Sequence, residues 1–293
     1  MAIIFDANRK IFTIHTKHTT YQMQADAKGY LLHLYYGKRT MGTMNYLLCY
    51  ADHGFSGNPY AAGMDRTYSL DALPQEYPSL GTGDYRSVAL NIASAGGTEC
   101  CDPTFDSYKI TKGKYSLQGL PAVWTADEKA ETLELVLKDE LTQVEVHLFY
   151  GVLEDADIIT RSVVIKNTGT ETITVKKALS ACLDFVQGDY DAISFYGRHA
   201  MERNLERVPV GHGTYRIGSH RGSSSHQYNP GVILADRTAT EDSGNCYGML
   251  LMYSGNFVCE AERDQFNQTR FQMGLGDELF AYPVKAGEEF TAP

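Results

Sequence analysis

The chain has 293 residues, 43% hydrophobic and 21% charged, an ordinary balance for a folded protein long enough to bury a substantial core. Its 26 basic and 36 acidic residues leave a formal charge of −10 at pH 7, which disfavours a surface built for nucleic acid. No apolar run approaches the ~18 residues of a membrane span, and Asp6 interrupts the N-terminus before a signal-type apolar stretch forms, so the expected compartment is the cytoplasm.

From the N-terminus, the dominant local signal is apolar–polar alternation with period two, the pattern of a strand with one buried face. Residues 10–16 (KIFTIHT), 20–25 (TYQMQA) and 30–36 (YLLHLYY) alternate this way, with a turn at 26–29 (DAKG). The pattern then breaks over 51–105, rich in Gly, Pro, Asp and Tyr, which includes SLDALPQEYPSLGTGDYR at 69–86. Irregular stretches of this length in a compact domain are usually functional or disordered, and the aromatic content argues against disorder.

Alternation resumes at 132–139, 143–151, 157–167 and 171–185, with the Gly-containing NTGTE loop making a hairpin of the last two. The best helix candidate is 126–137 (ADEKAETLELVL), and its second half reads better as strand. A polar, aromatic-edged group, FYGRHAMERN, follows at 195–204. A Gly/Ser loop, GSHRGSSSHQYNPG, occupies 218–231, and further strands are expected at 246–257, 257–262 and 269–274. Strands spaced roughly 10–15 residues apart predict an all-β chain folded as a large antiparallel sandwich.

Six cysteines include no C-x-x-C pair, and Cys49, Cys182 and Cys246 sit in apolar runs where a free thiol behaves as a small buried hydrophobe. All six are read as unpaired. Carboxylates crowd the first irregular region: Asp52, Asp65, Asp71, Glu76 and Asp84. Two readings stay open for them. Paired acids could serve a hydrolase. Equally, acids in turns cap local backbone, and Arg66 and Arg86 could pair with them, which the turn-rich context favours. His220 and His226 lie six apart with no helix to align them, so no metal site is expected, and no cofactor. Ser223–Ser225 beside His226 lack the strand–Gly-x-Ser-x-Gly–helix elbow of a nucleophile. FYGRHAMERN sets His199 beside Arg198, Glu202 and Arg203 with Tyr196 nearby, a set suited to a sugar's apolar face and hydroxyl rim.

SLDALPQEYPSLGTGDYR, together with DHGFSGNP (52–59), DADIITRSVVIKN (155–167), SSSHQYNPGVIL (223–234), YGMLLMYSGNF (247–257) and AGEEFTAP (286–293), resembles the N-terminal domain of family 36 glycoside hydrolases, the α-galactosidases. The pieces occur in the family's order across nearly the whole chain. The resemblance implies a β-supersandwich of the galactose-mutarotase-like type over 1–293, with a catalytic (β/α)8 barrel and a small C-terminal β-domain expected downstream. No βαβ alternation for such a barrel occurs within this span.

It further implies hydrolysis of terminal α-galactosyl residues by a retaining mechanism in the complete enzyme, and a span that is inactive alone. A galactose-containing oligosaccharide is the implied ligand and a tetramer the implied assembly. Three substrate-site residues carry over by resemblance. Asp52 would reach galactose hydroxyls, Arg66 would fix Asp52, and His199 stands where the family often has tryptophan. The stretch 69–86, stiffened by Pro74 and Pro78 and bent at Gly81 and Gly83, would wall a neighbouring subunit's active site, away from its own core. The competing readings are a free-standing carbohydrate-binding sandwich and a self-sufficient sandwich hydrolase using acids such as Asp65 and Asp84.

Overall fold

The computed structural model describes residues 2–54, 65–126 and 129–293. Their regular structure is strand, with two short 3-10 turns at Asn45–Leu47 and Glu154–Ala156. Strands β1 (Ile3–Asp6), β2 (Ile11–His15), β3 (Thr19–Ala25) and β4 (Leu31–Lys38) form an antiparallel meander. A short β5 (Leu90–Ala93) follows the long irregular stretch. An exposed edge strand, β6 (Thr104–Lys112), opens a second sheet that continues through β7 (Glu131–Asp139), β8 (Val144–Leu153) and β9 (Ile158–Asn167).

The thirteen-residue β10 (Ile173–Phe185) is the hub of a third sheet and takes β5 along one flank. Next come a hairpin, β11 (Tyr190–Arg198) and β12 (Met201–Pro209), then β13 (Gly213–Gly218), β14 (Tyr228–Asp236) and β15 (Cys246–Leu250). Strands β12, β11, β14 and β15 make the fourth sheet. Finally β16 (Phe257–Arg263), β17 (Thr269–Leu275) and β18 (Tyr282–Val284) complete the third sheet, and β19 (Glu289–Ala292) returns to pair with β9. Every pairing between these strands is antiparallel.

The all-β expectation holds, and the alternating segments became strands because their apolar sets share one buried cluster. Phe12 and Ile14 of the meander, Leu135, Leu148 and Ile165 of the second sheet, Leu179, Phe257 and Phe271 of the third, and Leu234 of the fourth all belong to it. Alternation did not announce β11–β14. Strand β12 has no buried residue and therefore carries no apolar face to read. The helix candidate at 126–137 yields β7 from Glu131 onward, and its residues 127–128 lie outside the described ones. Its Leu133, Leu135 and Leu137 fall on one face of a strand, so tertiary burial overrode local helix propensity. All six cysteines are free, as expected. Cys182 is buried, but Cys49 and Cys246 are exposed, Cys246 because β15 is the outer strand of its sheet.

Candidate functional site

The stretch 69–86 does not stand away from the core; it threads through it. The Pro74 carbonyl accepts from the His33 amide of β4 at 3.1 Å, and the Pro78 carbonyl accepts from the Ala89 and Leu90 amides at 2.8 and 3.1 Å. Tyr77 donates its hydroxyl to the Leu179 carbonyl of β10 at 3.0 Å. At Gly81 the backbone takes φ +100°, and a Cβ there would sit 2.5 Å from Cys100 Sγ, so only glycine fits. The expectation that this stretch stands away from its own core is thereby corrected: the chain uses it as an internal strut.

Its acids and arginine explain why. Asp84 and Arg86 are buried and joined at 2.9 Å. Arg270 of β17, fully buried, donates to Asp84 at 2.7 Å and to Asp184 of β10 at 2.6 Å. Arg86 also donates to the Leu70 and Leu73 carbonyls, both at 2.8 Å. Burial pushes the Asp84 carboxyl up, but Arg270 and then Arg86 outweigh it and hold it below the ordinary range. A carboxylate locked between two guanidiniums has no free oxygen for acid–base work, which removes Asp84 from catalytic candidacy. Asp65 accepts from its near neighbour Thr67 through both amide and hydroxyl, and Asp71 ties the Tyr85 amide to Gln265.

Glu76 makes a second buried knot. Its carboxylate accepts from Tyr21 and Tyr150 hydroxyls at 2.5 and 2.7 Å, from Arg161 at 2.9 Å, and sits 3.0 Å from His33 Nδ1. Burial raises its carboxyl, and Arg161 with the His33 and Tyr21 contacts reverses the shift to a net lowering. Arg161 also lies over the Tyr150 ring at 4.2 Å. An arginine in the middle of the apolar strand IITRSVVIKN was the signal that could have marked this position from sequence.

Asp52 differs from all of these. Its side chain is 45% exposed, and Arg66, 67% exposed, reaches it with Nε at 3.2 Å from Oδ2 and Nη2 at 3.4 Å from Oδ1. The Gly54 amide donates to Oδ1 at 2.8 Å, fixing the carboxylate over its own turn. Beside it the His53 ring lies 4.4 Å from Phe266, at the turn between β16 and β17, and Tyr50 stacks on buried Tyr68. The carboxylate is thus anchored at its root and open at its tip. Residues 55–64, which include most of DHGFSGNP, lie outside the described residues.

His199 occupies the tip of the β11–β12 hairpin. Ala200 and Arg203 there take φ near +60°, and the close turn leaves a Cβ on Gly197 only 2.3 Å from the Met201 carbonyl oxygen. Glu202 accepts from the Ala200 amide at 2.8 Å. The imidazole is exposed, and among the described residues no hydrogen bond or ion pair joins it to Asp52 or Arg66. So the structure brings Asp52 and Arg66 together and sets His199 on a separate hairpin. His220 lies 3.4 Å from Glu278 at a polar depression of about 460 Å3, whose Arg216 is already engaged by Glu260 and Asp277. Among the described residues no group of three or more His, Cys, Asp or Glu side chains is placed to hold a metal ion.

The profile of the glycosyl hydrolase family 36 N-terminal domain matches residues 29–285. The chain belongs to this family. Among the relatives of this family 36 N-terminal domain is the bifunctional alpha-galactosidase/sucrose kinase AgaSK of Mediterraneibacter gnavus. It is 69% identical over 293 residues, which are 100% of this chain and 31% of that protein. Alpha-galactosidase Mel36A of Lactobacillus acidophilus is 39% identical over 99% of this chain and 40% of its own length. The solved galactosidase domain of AgaSK superposes with a TM-score of 0.97 at 70% identity, covering 100% of this chain and 41% of that one. A variant of the GH36 alpha-galactosidase AgaA of Geobacillus stearothermophilus, solved in complex with raffinose, superposes with a TM-score of 0.94 at 40% identity, over 97% of this chain and 40% of that one. The family 36 N-terminal domain therefore spans about two-fifths or less of the length of these relatives.

Proposed function

We propose that this chain is the N-terminal domain, 1–293, of an α-galactosidase, and that it helps bind the galactosyl group while a downstream (β/α)8 barrel performs retaining hydrolysis. The carrying observation is the exposed, pre-oriented Asp52 carboxylate, in a chain whose relatives are named alpha-galactosidases, one of them solved with raffinose bound. An ionised carboxylate accepts two sugar hydroxyls at once, and such charge-assisted bonds are about twice as strong as neutral ones. Arg66 restrains the carboxylate, and Phe266 and His53 offer ring surface beside it for a sugar's apolar face.

His199 is assigned to the same ligand from a different edge, which a second subunit of a tetramer would bring near. The four antiparallel sheets correspond in this reading to the β-supersandwich, and the assembled enzyme works in the cytoplasm on raffinose- or melibiose-type oligosaccharides. In support of the division of labour, Glu76 and Asp84, the buried acids of the irregular region, are taken up by structural contacts.

The test is turnover of an aryl α-galactoside by this chain alone and by the chain continued along its reading frame. The expected result is no turnover by residues 1–293 and turnover by the longer chain. Galactoside binding by a reading frame that ends at 293 would instead establish a free-standing binding module.

A further inference from the structure

Asp264 lies in the turn that joins β16 to β17, with its side chain only 2% exposed. Its Oδ1 accepts from the Phe266 and Gln268 amides at 2.8 and 2.9 Å, and its own amide donates to the Gln268 carbonyl at 3.0 Å. Oδ2 is buried without a hydrogen-bond partner among the described residues, 3.6 Å from Arg86 Nη1. Burial pushes the carboxyl up, and the Gln268 amide, Arg86 and the Phe266 amide offset only part of that. Hairpin loops of this length close with exposed turn residues, so a buried acid here costs more than turn closure requires. What the acid adds is a fixed position. Arg86 Nη1 donates to Gln268 Oε1 at 3.1 Å, and Gln268 Nε2 donates to the Ala72 carbonyl at 2.9 Å. Gln265 Nε2 reaches Asp71 at 3.2 Å, so the turn is tied to the strut at 69–86.

The same turn carries Phe266, half-buried, against the His53 ring at 4.4 Å and 44°. His53 directly follows Asp52 in the chain. Among the described residues, the hydrogen bonds and ion pairs of 52–54 run within their own loop, between Asp52, Gly54 and Arg66. Those contacts fix the shape of the Asp52 turn but not where it lies on the domain. The ring contact joins it to a turn that Asp264 and Arg86 hold. We propose that Asp264 is a positioning residue for the candidate galactosyl site: it fixes Phe266, and Phe266 through His53 sets where the Asp52 carboxylate lies. A binding group held in place before its ligand arrives loses less entropy on binding, so slack in this relay weakens binding without touching the reacting atoms. The inference rests on reading Asp52 as a group that binds the galactosyl unit.

Kinetics of the chain continued along its reading frame test it first. Asp264→Ala and Phe266→Ala are each expected to raise KM for an aryl α-galactoside roughly three- to tenfold, the scale of a lost ring pair, with kcat little changed. Phe266→Tyr keeps the ring and should keep KM; a rise equal to that of Phe266→Ala overturns the ring contact as the link. In an Asp52→Ala background both rises should vanish, because a relay that acts through Asp52 has nothing left to position. Rises that persist there, or no rise from either variant, overturn the relay. Nuclear magnetic resonance of residues 1–293 tests it without activity. The His53 imidazole proton signals, identified by their loss in His53→Ala, should shift in Phe266→Ala and in the same direction in Asp264→Ala. Phe266→Ala leaves Asp264 and its turn amides in place, so the relay stays falsifiable if Asp264→Ala does not fold. Shifted His53 signals with KM unmoved by Asp52→Ala sink the galactosyl-binding reading alone. A KM raised by Asp52→Ala, with His53 unmoved in Asp264→Ala, sinks the relay alone.

Discussion

Asp84–Arg86 and Asp52–Arg66 join the same two side-chain types at 2.9 and 3.2 Å, within one irregular region of the chain. The first pair is buried and extended by Arg270 and Asp184 into a closed network; the second stands half in solvent beside the Gly54 backbone, whose amide donates to Asp52 and whose carbonyl accepts from Arg66. A buried charge cannot be left alone without a penalty of several kcal/mol, so each member of the first pair is obligatory. An exposed pair contributes about 0–1 kcal/mol, so either partner can exchange its contact for a ligand at little structural cost. Identical residue chemistry therefore serves as a staple in one place and is proposed as a binding group in the other, and burial separates the two environments.

The comparison breaks most sharply at Arg270. Arg270→Met removes the donor shared by Asp84 and Asp184, leaving two buried carboxylates with Arg86 as their remaining counter-charge, so denaturant unfolding should show a loss of about 3–5 kcal/mol. A loss under about 1 kcal/mol would mean that the network is not a staple. Asp52→Ala in the longer enzyme should do the reverse. KM should rise roughly ten- to hundred-fold, about 1.5–3 kcal/mol, more than kcat falls, while the melting temperature holds. An unchanged KM with reduced stability would make Asp52 a mere loop cap.

Titration sharpens the contrast more gently. Both Glu76 and Asp84 have folded-state pKa values below their ordinary ones of 4.5 and 3.8. For such groups the stabilisation is fully present above the unfolded pKa and is lost as pH falls through the folded one. The contribution of these two groups to the unfolding free energy should thus be level through neutral pH and decline below about pH 4.5, with Glu76→Gln flattening that decline. Asp264, whose carboxyl burial pushes up, works in the opposite direction and trims the slope. If Glu76→Gln left the acid limb unaltered, the knot would not be a charged one. The smallest effect is expected from His199→Ala in the longer enzyme, a rise in KM of about two- to fivefold, matching ~0.5–1 kcal/mol for one neutral hydrogen bond. Melting temperature should not move, because the imidazole bonds to no described residue.

Much of the fold was legible locally. Residues 10–16, 20–25 and 30–36 alternate because each strand of the meander packs one face on the shared core, and 143–151 and 157–167 do so for the second sheet. Strand β12 was illegible because an exposed edge strand imposes no apolar period. At the candidate site, Asp52 and Arg66 were legible as partners because they lie only fourteen positions apart in the chain. The unpaired face of Arg161, whose Nε and Nη2 are buried without a hydrogen-bond partner among the described residues, was not, since nothing in IITRSVVIKN says which of its donors find partners.

By itself, then, the sequence determined the strand class, the turns, the thiols' unpaired state and the family to which the chain belongs, since all of these follow from residue type and near-neighbour order. Only the tertiary structure decided which carboxylates are structural. Asp84 meets Arg270 across 186 positions and Glu76 meets Tyr150 across 74, and Asp184 accepts from the Gln75 amide across 109. Contacts at that separation exist only after the sheets have packed. Whether a charge ends in water or in the core is a property of that packing and not of the residues on either side of it.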